Sequence, residues 1–251
     1  MNKNVTFRNI ENTRRSGIKD WNRLSRQQIK DWIHIFDQDQ LVLFGNRANI
    51  ELREYQIRCI EQLKTNKLLI QWHSRQCGNL LITGLYLIHR AILGYTINIV
   101  CSKKLYSNEI YDKLFQLYKS IPFYLQSGIK KLDQNKLIQF ETGLIKFGQI
   151  DPKSDIVWIV DPKDIKPIAN NLADLVGNDA QIIVKTRKCQ SDCLDKLIED
   201  ANRHKDDPCK TVWTVDLVQW WQVPNRDLVW KAETIKELGN ESAFKNEYDM
   251  I

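Results

Sequence analysis

No apolar run in this 251-residue chain is long enough to span a bilayer, and its opening MNKNVTFRNI lacks the apolar core of a secretion signal. Neither a membrane protein nor a secreted one is expected. The six cysteines include no CxxC knuckle, and without an extracellular setting they read as reduced thiols rather than a disulfide framework. His34, His73 and His89 belong to no Ser/Asp or Cys constellation in the sequence, which leaves a hydrolase triad unsupported. No internal repeat or low-complexity linker marks a second large domain. With 43% hydrophobic and 27% charged residues, the chain has the composition of a protein that buries one substantial core. The net charge of +6, from 37 basic and 31 acidic residues, favours a polyanion such as DNA but is too modest to establish it.

What is present is organised around Lys67 to His89, KLLIQWHSRQCGNLLITGLYLIH. Leu68 to Trp72 reads as the first core strand, with Leu68, Leu69 and Ile70 buried, Ser74 to Asn79 as a short polar loop, and the apolar run from Asn79 to about Leu93 as a helix ended by Gly94. Strand, loop and helix in that order are the setting of a phosphate-binding loop. Such a loop needs a lysine for the β and γ phosphates and a hydroxyl for Mg²⁺. After Gly78 this chain has Asn79 and Leu80.

The rest alternates. A polar, basic stretch, Met1 to Asn22, precedes a capping box at Ser25 and Gln28 and an amphipathic helix that places Ile29, Trp32, Ile33 and Phe36 on one face. Tyr55, Cys59, Ile60 and Leu63 share a face of a second helix. Strands are expected at Thr96 to Cys101, Lys136 to Phe140, Leu144 to Phe147, Asp155 to Val160, Gln181 to Lys185 and Thr211 to Val215. Helices are expected at Lys104 to Lys119, about Ile168 to Val176 and about Ser191 to Asn202. This alternation predicts an α/β fold with a largely parallel sheet flanked by helices.

Ser74-Arg75-Gln76-Cys77-Gly78-Asn79-Leu80 resembles the SRQxGKT loop of the large terminase subunit, the motor that packages DNA in tailed phages. Leu52-Arg53-Glu54-Tyr55-Gln56 is similar to the segment whose glutamine reads adenine in that family. Ile121 to Ile129 with the following hairpin, and Ala243 to Tyr248 near the end, keep the family's order of elements. The resemblance covers roughly Leu52 to Tyr248. It implies a phosphate-loop NTPase of the additional-strand type, with residues 1–45 as a basic arm and amphipathic helix, 46–251 as the ATPase-type domain, and no room for the family's nuclease.

It also implies a damaged site. Ile156 to Val160 and Asp161 supply the strand and aspartate of the second acidic element, and Pro162 stands where the water-activating glutamate is expected. Asp164 is the alternative base. Asn79, Leu80 and Pro162 together remove the phosphate charge, the metal hydroxyl and the base, so no intact catalytic set is expected. Gln56, Arg75, Gln76, Gly78 and Asp161 are the remnant of the nucleotide site. Arg75 either touches phosphate or pairs with Asp161 or another carboxylate, and Gln56 either faces adenine or caps a helix. ATP and Mg²⁺ are expected only if the chain is a packaging ATPase subunit with a deviant site and a separately encoded nuclease.

The remaining candidates concern DNA and metal. Arg14, Arg15, Lys185, Arg187 and Lys188 could contact phosphates, Lys185 to Lys188 lying past the carboxyl end of a core strand. Cys189, Cys193, His204 and Cys209 have ligand types compatible with zinc, but Cys189 and Cys193 also fit the start of a helix as free thiols, and no metal is expected. Trp213, Trp220, Trp221 and Trp230 either pack or stack on bases. The expected role is a non-hydrolysing binding or assembly part in viral DNA packaging or a related DNA transaction, with packaging proteins, the true motor or DNA as partners, in the host cytoplasm. A structural or decoy protein docking to the true motor is the third reading.

Overall fold

The computed structural model describes residues 24–101, 104–133, 136–162, 179–186, 198–199, 201–203 and 213–249. Arg14, Arg15, Asp164, Arg187, Lys188, Cys189, Cys193, His204 and Cys209 lie outside them, as do the predicted helix at 168–176 and most of that at 191–202.

Among the described residues three helices come first: α1 (Arg26–Asp37), α2 (Leu41–Arg47) and α3 (Glu54–Thr65). The Ser25 and Gln28 capping box of α1 forms as the sequence predicts. Its buried face differs by a small rotation, since Ile35 is fully buried and Ile33 is 43% exposed. The aromatic residues set that rotation. Trp32 and Phe36 turn toward Phe44 of α2 and a buried histidine, His89, with ring centroids 5.0 to 5.8 Å apart, and Ile35 goes in with them.

The sheet has eight strands: β1 (Leu68–His73), β2 (Thr96–Cys101), β3 (Ile129–Asp133), β4 (Leu137–Phe140), β5 (Leu144–Phe147), β6 (Ile156–Val160), β7 (Gln181–Thr186) and β8 (Thr214–Val218). Their order is β3-β4-β5-β2-β6-β7-β1-β8. The six from β5 to β8 are parallel, and β3 and β4 add an antiparallel edge. Strand β3 was not foreseen. It is largely exposed and has two lysines, so it carries no buried apolar run to signal it. Strand β8 starts three residues later than predicted, because Trp213 packs beneath the sheet before pairing begins.

Alternate residues of the central strands serve opposite faces. Leu69, Trp158 and Ile183 join the main core under the helices, while Ile70, Val157, Ile159, Ile182 and Val184 form a second cluster on the other face. Helix α4 (Asn79–Ile92), entered directly from the loop after β1, runs through the main core with eleven of its fourteen residues buried. Helix α5 (Lys104–Ser120) packs beside it. Two C-terminal helices, α6 (Leu228–Leu238) and α7 (Glu241–Glu247), close a third small cluster of Trp220, Phe244 and Tyr248, with Trp230 against it. Among the described residues no helix is long and apolar enough to cross a membrane.

His89 in α4 stacks on Phe36 and donates from Nε2 toward the Ile35 carbonyl at 3.3 Å. Burial and the neighbouring Arg90 charge push its pKa down to about 3. An unfolded histidine titrates near 6.5. Between these values the unfolded chain takes up a proton that the folded chain refuses, so this stabilisation is complete above about pH 6.5 and is lost as pH falls toward 3. The melting temperature is expected to fall through that window, and His89→Gln, which keeps a donor for Ile35, is expected to flatten the fall. Identical slopes for the two proteins in pH-dependent melts would contradict the assignment.

Candidate functional site

The loop joining β1 to α4 lies at the carboxyl end of the sheet, where ligands of open α/β folds sit. Its shape is fixed at Gly78, whose φ of +83° suits glycine, and at Gln76, with φ of +57°. A Cβ on Gly78 would come within 2.5 Å of Gln56 Nε2. Gln56 does cap its helix: Oε1 accepts from Arg53 N–H at 3.0 Å, and Nε2 donates to the Cys77 carbonyl at 3.3 Å. Tyr55 donates its hydroxyl to the same carbonyl at 2.7 Å. From outside, Arg226 donates to the carbonyls of Arg75 (2.9 Å) and Gln76 (3.3 Å). Two loop amides are also occupied, Ser74 N–H by the Val218 carbonyl and Arg75 N–H by that of Glu247.

Beneath the loop is a buried polar knot. The Asn79 amide lies 2.6 Å from His73 Nδ1, and His73 Nε2 lies 2.9 Å from Asp216 Oδ2. His73 ends β1 and Asp216 sits in β8, so this chain of contacts ties the loop to two adjacent strands. The thiols of Cys59 and Cys77 lie beside the same imidazole. Burial alone would depress the pKa of His73, but the bonds to Asp216 and the two thiols outweigh it and hold the imidazole well above its ordinary value. Burial likewise opposes the charge on Asp216, and the His73 contact wins, leaving the carboxyl below its ordinary range. Cys77 follows the same pattern: burial raises its pKa, while His73 and the Asn79 N–H bring it below the usual thiol value. With Oδ1 turned away from the ring, Asn79 leaves that oxygen buried without a partner, and turning the amide lets it accept from Nδ1–H.

No local pattern marks this grouping, and the expectation that His73 has no Asp or Cys constellation is corrected by it. Its members lie far apart in the chain, on α3, β1, the loop and β8, and only the sheet order brings them together. The available signal was Asp216 itself, an ionisable residue between Val215 and Leu217 in an apolar strand.

Above the loop a cavity of about 510 Å³ remains, lined by Arg75 to Leu80, Tyr106, Lys113, Asp161 and Lys185 among others. Leu80 lines this space and also packs against the core. Asp161 lies just past β6 with φ of +46°, its N–H bonded to the Lys185 carbonyl at 2.9 Å, and Pro162 follows it. Arg75 pairs with Glu247 at 3.3 Å, the carboxylate coming from α7 rather than from Asp161. Lys113 pairs with Glu109 at 2.7 Å. Trp220 and Trp230 are packed, with Arg226 over Trp230 at 4.7 Å, while Trp221 is half exposed.

A parallel sheet with one strand, β7, inserted between the loop strand β1 and the acidic strand β6 defines the additional-strand class of phosphate-loop NTPase folds. Within that class the chain has the fold of large terminase ATPase domains. The large terminase ATPase domain of Thermus phage P74-26 superposes with a TM-score of 0.62 at 12% identity, covering 82% of this chain and 95% of that one. The HK97 bacteriophage large terminase gives 0.56 at 10% identity over 97% of this chain and 54% of that one. A large terminase from a thermophilic bacteriophage, in complex with ATP-gamma-S, gives 0.57 at 9% identity over 80% and 53%. The chain thus spans about half the length of the latter two. No protein-family model matches the sequence, and no curated protein matches it.

The Gly78 and Gln56 contact is testable by a double-mutant cycle. Gly78→Ala is expected to cost about 2–3 kcal/mol, from left-handed strain and the displaced Gln56 bond. In a Gln56→Ala background it should cost only the strain, about 1–2 kcal/mol. Strictly additive losses in urea titrations would show that the two residues do not meet.

Proposed function

We propose that the chain is a terminase-like ATPase fold used as a non-hydrolysing binding or assembly subunit in phage DNA packaging or a related DNA transaction. The observation that carries this reading is the engagement of Asn79. At the position of the phosphate lysine, this residue is 5% exposed and its neutral amide is held 2.6 Å from His73 Nδ1 at the edge of the cavity. Leu80 offers no hydroxyl for a metal, and Pro162 offers no base. The fold it shares with packaging motors supports docking to packaging proteins or to the motor itself.

A second reading, a packaging ATPase subunit with a deviant site, is favoured by Lys185, which lines the cavity from the end of β7. Calorimetry with ATP and Mg²⁺ separates the two. We expect no binding tighter than the millimolar range and no phosphate release; turnover abolished by Asp161→Ala would place the chain among the enzymes. Asn79→Lys with Leu80→Thr should restore measurable ATP binding, because a lysine reaches past His73 into the cavity and Gly78 opens α4 toward it. Hydrolysis should stay absent until Pro162→Glu is added. Leu80→Thr removes core contact at a cost of about 1–3 kcal/mol, so folding is verified alongside. A folded double variant that binds no ATP would mean the loop amides already spent on Val218 and Glu247 disable the site by themselves.

The basic residues Arg14, Arg15, Lys185, Arg187 and Lys188 support weak, sequence-independent DNA binding. Charge reversal at Arg187 and Lys188 is expected to reduce the slope of log K against log salt by about 2. Absence of binding at low salt would leave protein docking as the surviving role.

A further inference from the structure

We propose that the knot beneath the phosphate loop is a structural zinc site formed by Cys59, His73 and Asp216, with Cys77 closing the coordination. Cys59 Sγ, the His73 ring nitrogen and an Asp216 oxygen all lie within 4.8 Å of one another, and all three residues are buried. They come from α3, β1 and β8. Cys77, a buried thiol of the loop, lies beside the same imidazole but outside that 4.8 Å set, and it moves in as the fourth ligand when the metal binds.

Thiolate, imidazole and carboxylate are the donor types zinc accepts, at about 2.3 Å for sulfur and about 2.0 Å for nitrogen and oxygen. A tetrahedral set of such bonds separates its ligand atoms by about 3.3–3.8 Å. His73 Nε2 and Asp216 Oδ2 are now 2.9 Å apart, closer than that, and the ligand atoms of Cys59, His73 and Asp216 lie within 4.8 Å of one another. Shifts of about 1 Å therefore convert one arrangement into the other. Three independent features favour the metal. His73 binds through Nε2 while its Nδ1–H faces the Asn79 amide, whose otherwise orphaned Oδ1 becomes the acceptor that fixes the ring. Asp216 presents Oδ2 inward while Oδ1 faces Arg58 at 3.8 Å, so the carboxylate too has an outer partner. Finally, two thiols directed at one buried imidazole beside a carboxylate are costly as separate charges, and a divalent cation neutralises them at their common centre. Four protein ligands, all on buried residues, make the site structural, with no coordination position left for substrate.

The full chain, expressed in zinc-supplemented medium and purified without chelator, is expected to hold about one zinc per molecule by elemental analysis. Cobalt replacement is expected to produce thiolate-to-cobalt charge transfer in the near ultraviolet with tetrahedral bands in the visible. Cys59→Ser and Asp216→Asn should abolish binding, and Cys77→Ser should speed release to a chelator. A triple change of Cys189, Cys193 and Cys209 to serine should leave the zinc in place. Because the single variants could fail to fold, the wild-type measurements stand alone: a folded wild-type chain with less than about one zinc per ten molecules overturns the proposal. So does zinc that survives Cys59→Ser but disappears in the triple variant. Neither result depends on whether the chain binds ATP.

Discussion

The contact on which the site depends is the one between Asn79 and His73. A phosphate loop normally needs a ligand, or water, to satisfy the donors it gathers around an anion. Here the loop is tied from beneath by His73 and Asp216, gripped at the Cys77 carbonyl by Tyr55 and Gln56, and held from outside by Arg226. Its conformation is thus maintained by protein groups on three sides. That explains how the backbone path of a phosphate loop is kept with Asn79 and Leu80 after Gly78.

Charge follows the same logic. In a working loop the lysine places its cation at the phosphates; in this chain the side chain at that position is a neutral amide held by His73, which is paired in turn with Asp216 below the loop. Two of the cations that line the cavity are engaged as well, Arg75 with Glu247 and Lys113 with Glu109. Exposed pairs of this kind contribute little to stability, about 0–1 kcal/mol each. Their consequence is for binding, because an incoming phosphate would have to displace a carboxylate already in place.

The sheet was legible in the sequence because its central strands are apolar on both parities, which only a doubly covered parallel sheet requires, and because Gly78 and Gly94 bracket α4 at its two ends. The strands β1, β2, β5 and β6 were accordingly located to within a residue or so. The knot was illegible for a specific reason. The predicted last strand stopped at Val215, one residue before Asp216, so the one charged residue of that strand fell into a loop and lost its meaning. Cys59 and Cys77 passed as a helix-face apolar residue and as the free position of a motif. Their chemistry is set by register between β1 and β8, where His73 stands opposite Val218 and Asp216 opposite Gln71, and no local pattern encodes that register. Rotation of α1 was missed on a smaller scale: periodicity admits either Ile33 or Ile35, and the aromatic contacts with Phe44 and His89 choose between them.

Why the loop keeps so demanding a backbone once the phosphate groups are gone follows from its position at the head of α4. That helix is buried nearly all round, so its start cannot slide without moving Ile82, Leu85 and Ile88, which fill the main core. Gly78 in the left-handed region sets the angle at which the chain leaves β1 and enters the helix, and Gln56 occupies the space a Cβ would need. The geometry that once suits a phosphate is therefore also the geometry that seats the central helix. Side chains that face the cavity, Leu80 in part and Arg75 wholly, are bound by no such requirement, and ligand chemistry can be exchanged there while the fold is unchanged. Asn79 is the exception that links the two sets, since it stands at the lysine's position and yet belongs to the core side of the loop through His73. The fold constrains the loop from below, and that constraint holds its shape through protein contacts alone.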